Sequence, residues 1–440
     1  MRKWQDYNFV VAQDNTTKYP VLSICAVVGL LLLAPFTTSW LALVAFAICL
    51  YRVIRYDAQV FATDYCLLIP LTALMKLSNG TPLSIYLCLI AAIWYLIRDG
   101  LRVNATLVLL IVLMNYLLTR MQMDINGFVL LFGQLAVMIV LLPRQDHHSA
   151  TRALKAFCIS LIFSSVYAYT FRNVSWLADI TGANSTPMYG TNLRRFCGLN
   201  SDPNYYSTVL VIGISVLMKL KDSKAVRSWV FWCAIGIIAV FGVLTYSKSF
   251  LLMFIFMVGI YMLWQFLNRK LIKGAIFTIL AIVALVLVLS LENSPVAVVL
   301  DRLTSAQSLS ELTTSRSDIF MLYWKEIAKS WQLFFFGKGI AAEALYRDPH
   351  NLYLETIYYV GTIGFGLIVA LYIGALRSAS RAITQISKQN VIAKYSPLVI
   401  LLVTYMALQG VFMQIFHAEL LLVALTFMVA PQKMERTGDE

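Results

Sequence analysis

Apolar residues in this chain come in long blocks separated by short polar breaks. The runs lie near residues 19–36, 39–54, 60–77, 82–97, 103–119, 126–143, 154–170, 205–219, 228–246, 249–267, 274–291, 351–376, 396–415 and 418–431. A membrane-crossing helix needs about 20 apolar residues. The pattern therefore predicts an all-α fold, a polytopic transmembrane helical bundle of about 12–14 spans. The last run is short, and only Thr37 and Thr38 separate the first two. Lys and Arg orient the map. With the N-terminus inside, 23 of the 35 fall in cytoplasmic segments and 12 outside. That bias predicts N-in, C-in and an even number of spans. The chain start is polar up to Lys18 and shows no small-residue cleavage site, so no cleavable signal is expected. The expected organisation is 1–170 N-terminal membrane helices, 171–204 an outer loop, 205–291 membrane helices, 292–350 a large outer loop, and 351–440 C-terminal membrane helices with a cytoplasmic tail.

The outer cations are clustered. Lys76 and Arg120 stand alone in short loops, while the other ten lie beyond residue 170: Arg172, Arg194 and Arg195, then Lys248, then Arg302, Arg316, Lys325, Lys329, Lys338 and Arg347. Outward cations run against the topology rule, and an anionic ligand at the outer face is a job they fit. Within the large loop, Ser315-Arg316-Ser317-Asp318 reads as a capping-box start. Ile319, Tyr323, Ile327 and Trp331 follow at four-residue spacing, which predicts an amphipathic helix lying in the membrane interface. Phe334, Phe335 and Phe336 are expected to dip into lipid, and Gly337-Lys338-Gly339 to end the helix.

Composition narrows the class. Of 440 residues, 60% are hydrophobic and 13% charged, against about half and a quarter in soluble domains. A soluble enzyme, a disordered chain, a disulfide scaffold and a collagen-like fibre are excluded. The net charge of +13 fits cytoplasmic loops facing anionic lipid, and no nucleic acid is expected. Six of the seven cysteines sit in apolar runs, Cys197 being the exception, and no CxxC pair or metal-ligand spacing occurs. Asp-x-Asp, GxxxxGK[ST], HExxH and GxSxG motifs are missing as well. Of four histidines, His147 and His148 read as solvated cytoplasmic-loop residues and His417 shares the last outer turn with Glu419, which leaves His350.

Three constellations carry chemistry. In Arg194-Arg195-Phe196-Cys197-Gly198-Leu199-Asn200-Ser201-Asp202-Pro203-Asn204-Tyr205-Tyr206-Ser207, two guanidiniums precede a span that Asp202-Pro203-Asn204 caps. Two arginines suit a diphosphate; they equally suit snorkelling at the interface. In Thr245-Tyr246-Ser247-Lys248-Ser249, a cation among hydroxyls is squeezed between two spans, which also fits an ordinary tight turn. In Tyr346-Arg347-Asp348-Pro349-His350-Asn351-Leu352-Tyr353-Leu354-Glu355, followed by Gly361 and Gly364, His350 and Asn351 open a span and Glu355 lies one turn further in. An ionisable residue in a membrane helix is a site candidate; a histidine at a helix start is also a plain polar cap.

Together these segments resemble the O-antigen ligase/polymerase superfamily, the Wzy-type polysaccharide polymerases and the WaaL-like lipid A-core ligases. RFCGLNSDPNYYS is similar to the family's Arg-x-x-Gly…(Asp/His)-Pro-Asn, SRSDIFMLYWKEIAKSWQLFFFGKG to its outer-loop helix ending in Gly-x-Gly, and HNLYLETIYYVGTIG to its His-Asn-x-Tyr-Leu…Gly-x-x-Gly. The resemblance covers roughly residues 190–370. It implies a GT-C type membrane glycosyltransferase of the plasma (inner) membrane that needs neither metal nor cofactor. The donor would be a glycan on undecaprenyl diphosphate, and the acceptor a second lipid-linked repeat or lipid A-core. A flippase and a chain-length regulator would be companion proteins. Arg195, Lys248 and Arg316 would stabilise the leaving diphosphate, with Arg194 the other candidate for that contact. His350 would take or orient the acceptor proton. Asp202, Asn204, Asn351, Glu355 and Arg347 would contact substrate. Ser247-Lys248 stands where family members often carry Ser-Arg, so the charge is kept without the planar fork. The Asp202-Pro203-Asn204 form with Tyr205-Tyr206 resembles capsule or exopolysaccharide polymerases more than ligases. The ligase remains an alternative, as does a polysaccharide flippase or transporter, although no internal repeat is visible. Asp64, an acidic residue well inside an N-terminal span, would be that reading's focus or else a structural polar residue.

Overall fold

A computed structural model describes residues 19–37, 40–76, 82–99, 105–120, 133, 135–174, 177–178, 185–187, 194–200, 202–267, 297–298, 301, 304–305, 308, 316–339, 345, 351–384 and 417–429. Most of these are helical, and the fold is all-α as expected. The helices are α1 (Val21–Leu33), α2 (Trp40–Arg55), α3 (Ala58–Leu68), α4 (Leu83–Arg98), α5 (Ala105–Arg120), α6 (Leu135–Arg144), α7 (His147–Thr170), α8 (Pro203–Asp222), α9 (Ser228–Leu244), α10 (Lys248–Leu267), α11 (Arg316–Ile327), α12 (Trp331–Phe336), α13 (Leu352–Thr384) and α14 (His417–Met428). Most coincide with the apolar runs. The runs 274–291 and 396–415, Arg347 and His350 lie outside the described residues, as does much of 126–143. Among the described residues, two helices, α7 and the Leu352–Gly374 part of α13, are long and apolar enough to cross a membrane.

Polar side chains cap several of the helix starts. Asp57 accepts from the Val60 amide at 2.8 Å to cap α3, and Asp146 with Ser149 forms a reciprocal capping box on α7. His147 and His148 are therefore not loop residues: the box starts the helix early, and they form its first turn. Along α7, buried Ala150, Ala153, Ser160, Ser164 and Ala168 let neighbouring backbones approach closely. α3 packs against this face, and α8, α9 and α14 also touch α7. α13 packs against α5, α11, α12 and α14. The outer faces carry large exposed apolar residues, among them Leu22, Trp40, Ile97 and Ile159, on a scale that soluble monomers rarely show.

Several expectations need correction. Arg52, one of the cations assigned to cytoplasmic segments, lies inside α2 and is buried against Asp64 of α3 rather than open to water. The predicted interfacial helix is two helices, because Ser330 caps a new start at Trp331. Its stripe of Ile319, Tyr323 and Ile327 is buried against Tyr358, Phe334, Leu345, Leu354 and Ile357 of the same chain. Periodicity identifies a face that leaves water but not what receives it. Trp331 does not extend the stripe and is 65% exposed. Finally, the run at 351–376 is not one continuous helix: Gly361, at φ 69° and ψ 176°, breaks α13.

Candidate functional site

The first constellation starts on a short antiparallel ladder, β1 (Ser185–Pro187) with β2 (Arg194–Phe196), in which Thr186 faces Arg195. Phe196 is buried among Tyr206, Tyr169 and Phe241, its ring edge-on to Tyr206 at 5.5 Å. Gly198 then turns the chain at φ 60°, where a Cβ would overlap the Tyr206 ring. Only glycine meets both demands. Asp202 caps α8, its Oδ1 accepting from the Asn204 amide at 2.6 Å and the Tyr205 amide at 3.2 Å, with Pro203 in the first turn.

This packing separates the two arginines. Arg194 is exposed, whereas Arg195 is half-buried and anchored. Its Nε donates to the Thr245 carbonyl at 2.9 Å and its Nη2 to Asn204 Oδ1 at 2.8 Å. The second constellation thus meets the first. Asn204 Oδ1 also accepts from Ser247 Oγ at 3.2 Å, and Ser247 lies 2.8 Å from Ser249 and 3.4 Å from Ser207, oxygen to oxygen. The Thr245–Ser247 turn is tight, with Tyr246 at φ 50°, and Lys248 opens α10 directly after it. A planar guanidinium spans a carbonyl and a side-chain amide here, a geometry that a lysine ammonium cannot copy. The Asp202 carboxylate serves the helix cap.

The third constellation stands on α13. Asn351 is buried, and its Oδ1 accepts from the Tyr353 and Leu354 amides, both at 3.0 Å. Glu355 follows one turn on and is half-buried. Arg316, at the start of α11, is half-buried too, and α11 leans on this part of α13 through Tyr323, whose ring meets Tyr358 edge-on at 4.9 Å. Arg347 and His350 lie outside the described residues, so the geometry of this group rests on Asn351, Glu355 and Arg316. α14 packs against both α8 and α13, the helices bearing the first and third groups.

Sequence reasoning missed two features. Arg52 donates through Nε and Nη2 to Asp64, at 2.7 and 2.8 Å, and through Nη1 to the Pro20 carbonyl at 2.9 Å and to Ser23. Tyr19 donates to Asp64 as well. An acid inside an apolar run, twelve residues after an arginine, was the available signal. Tyr116, whose hydroxyl reaches α13, gave no signal among its apolar neighbours. Outside these sites, Asp99 receives hydrogen bonds from Arg98 at 2.7 Å and Arg144 at 3.0 Å. Partial burial raises its pKa, but the two guanidiniums outweigh that and hold it below the ordinary carboxylate value. Comparison with family models, curated proteins and solved structures finds no match to the chain.

Proposed function

We propose that this chain is a multi-pass plasma-membrane glycosyltransferase. It polymerises undecaprenyl-diphosphate-linked oligosaccharide repeats into a surface polysaccharide at the outer face. The observation that carries the reading is the union of two motifs distant in sequence: Arg195, Asn204, Thr245 and Ser247 form one hydrogen-bonded cluster, with exposed Arg194 and half-buried Lys248 at its edges. Such a preorganised cationic corner suits a leaving diphosphate. The exposed apolar faces and the Lys/Arg bias support membrane insertion. α11 and α12 keep an interfacial role through a different face from the one expected. Met321, Trp324, Trp331, Phe335 and Phe336 are exposed there beside Lys325 and Lys329, a mixture suited to the headgroup layer.

In this reaction the acceptor hydroxyl oxygen bonds to the anomeric carbon as that carbon's bond to the diphosphate oxygen breaks. Negative charge gathers on the diphosphate, where Arg195 or Arg194, Lys248 and Arg316 act. The acceptor proton passes to His350, which Asn351 and Glu355 follow in sequence. The test is turnover of a lipid-diphosphate oligosaccharide by purified protein in chelator. Arg195→Ala is expected to lower the rate about 100-fold, the cost of losing one preorganised donor, and His350→Asn at least about 100-fold. A requirement for divalent metal, a product that forms without the lipid-diphosphate donor, or full activity in both variants would refute the proposal.

A further inference from the structure

The break in α13 is bound to two other elements at once. At Gly361 the backbone leaves the helical region, so the carbonyls just before it lose their usual partners. The Lys338 amide donates to Tyr358 O at 2.7 Å and the Gly339 amide to Tyr359 O at 2.9 Å. The third carbonyl, Val360 O, accepts from the Tyr116 hydroxyl of α5 at 2.6 Å; that hydroxyl also lies 3.4 Å from Phe336 O. Glycines make the approach feasible. A Cβ on Gly361 would overlap the Phe335 backbone, and one on Gly337 would press on Tyr359 and Gly361. A Cβ on Gly364 would stand 2.8 Å from the Tyr116 ring. The Gly361-x-x-Gly364 spacing is therefore a seat for the end of α12 and for Tyr116.

The segment Leu352–Val360, which carries Glu355 and follows Asn351, forms one body with α11 and α12 through the buried Ile319, Tyr323, Ile327 and Tyr358 group. Tyr116 ties that body to the membrane bundle. It lies four residues, about 6 Å of helix, from the end of α5 at Arg120.

We propose that Tyr116 is a positioning residue that sets the angle of the Leu352–Val360 segment over the bundle, and with it the acceptor-side residues Asn351 and Glu355. The inference rests on the polymerase reading. The lever is long: nine residues span about 13 Å, so a 10° tilt at Gly361 shifts Asn351 by about 2 Å. A misplacement of about 1 Å in a reacting group can cost about 100-fold.

The test uses full-length wild type and Tyr116→Phe, which keeps the ring in its seat and deletes the hydroxyl, with Gly364→Ala as a second disturbance of that seat. Two readouts run in parallel: amide hydrogen exchange at Lys338 and Gly339, and kcat and KM for the lipid-diphosphate oligosaccharide. Tyr116→Phe is expected to speed exchange at both amides and to lower kcat by about 10-fold or more, with KM within about twofold and unfolding temperature nearly unchanged. Unchanged kcat despite faster exchange overturns the positioning role and leaves the polymerase reading standing. Unchanged exchange shows that the hydroxyl does not hold the junction and also overturns it. A fall in kcat that follows lost thermal stability reduces Tyr116 to packing and overturns it too. No wild-type turnover of the donor overturns the polymerase reading, and this proposal with it.

Discussion

The buried pair between Arg52 and Asp64 offers a sharp test of whether the acid inside the N-terminal helices is structural or functional. Its side chains are 1% and 4% exposed. The carboxylate takes two guanidinium donors and the Tyr19 hydroxyl, while the guanidinium's remaining nitrogen serves Pro20 O and Ser23. Its face is covered by Tyr19 and Tyr56, centroids 5.6 and 5.2 Å away. With the charges so enclosed, removing one partner strands the other, at a typical cost of about 3–5 kcal/mol. Replacing both by apolar residues of similar volume removes the stranded charge and is often neutral or stabilising. Arg52→Met and Asp64→Leu should therefore each destabilise by about 3 kcal/mol or more, and the double variant should lie within about 1 kcal/mol of wild type. The coupling then approaches the sum of the two single effects. Unfolding in mixed detergent micelles gives the stabilities, and cellular polymer is the functional readout under the proposed polymerase function. Polymer should follow stability, lost in the single variants and restored in the double one. A double variant that is stable but makes no polymer would sink the structural assignment and favour the transporter reading centred on Asp64. Single variants as stable as wild type would show that the pair is not closed to water.

Three further outcomes are expected. Gly361→Ala forces a Cβ into the Phe335 backbone at a positive φ; it should cost about 1–3 kcal/mol and slow the reaction, and wild-type thermal stability would count against the tight junction. Asp99→Asn should destabilise by less than about 1 kcal/mol near neutrality, because the carboxylate is partly exposed. Its folded pKa is depressed, so this contribution is present above the ordinary carboxylate pKa and fades as pH falls through the folded value; unfolding temperatures of both proteins should converge in acid, and a gap that widens there reverses the sign of the argument. Single cysteines at Ser185 and Ser308 in a cysteine-free background should react with an impermeant maleimide on intact cells, and labelling only after lysis would invert the topology.

Much of the helical layout was legible along the chain, because apolar runs of about 20 residues and their polar caps are local properties. Asp202-Pro203-Asn204 was readable as a cap, and Gly337-Lys338-Gly339 as a stop. The site was only partly legible. Arg194 and Arg195 are neighbours of identical chemistry, and nothing local says which is held. That choice follows from Phe196, whose burial between α8 and α9 brings Arg195 to Asn204 and Thr245. Ser247 was visible as part of a turn, but its bond to Asn204, 43 residues earlier, was not.

By itself, then, the sequence determined the class of secondary structure, several of the helix ends and the uneven distribution of cations, since each is set locally along the chain. Tertiary structure decided which partner each face and charge meets. The Ile319, Tyr323 and Ile327 stripe had to leave water, yet only packing sent it to Tyr358 and left Met321 and Trp324 outside. Arg52 carried the same charge as its neighbour Arg55, yet the approach of α3 buried one against Asp64 and left the other exposed. Gly361 was legible as part of a Gly-x-x-Gly spacing, yet the break there shows only where α12 and Tyr116 meet the carbonyls it releases. Partner choice is a long-range property: it depends on shapes and donors that meet only when distant segments fold against each other.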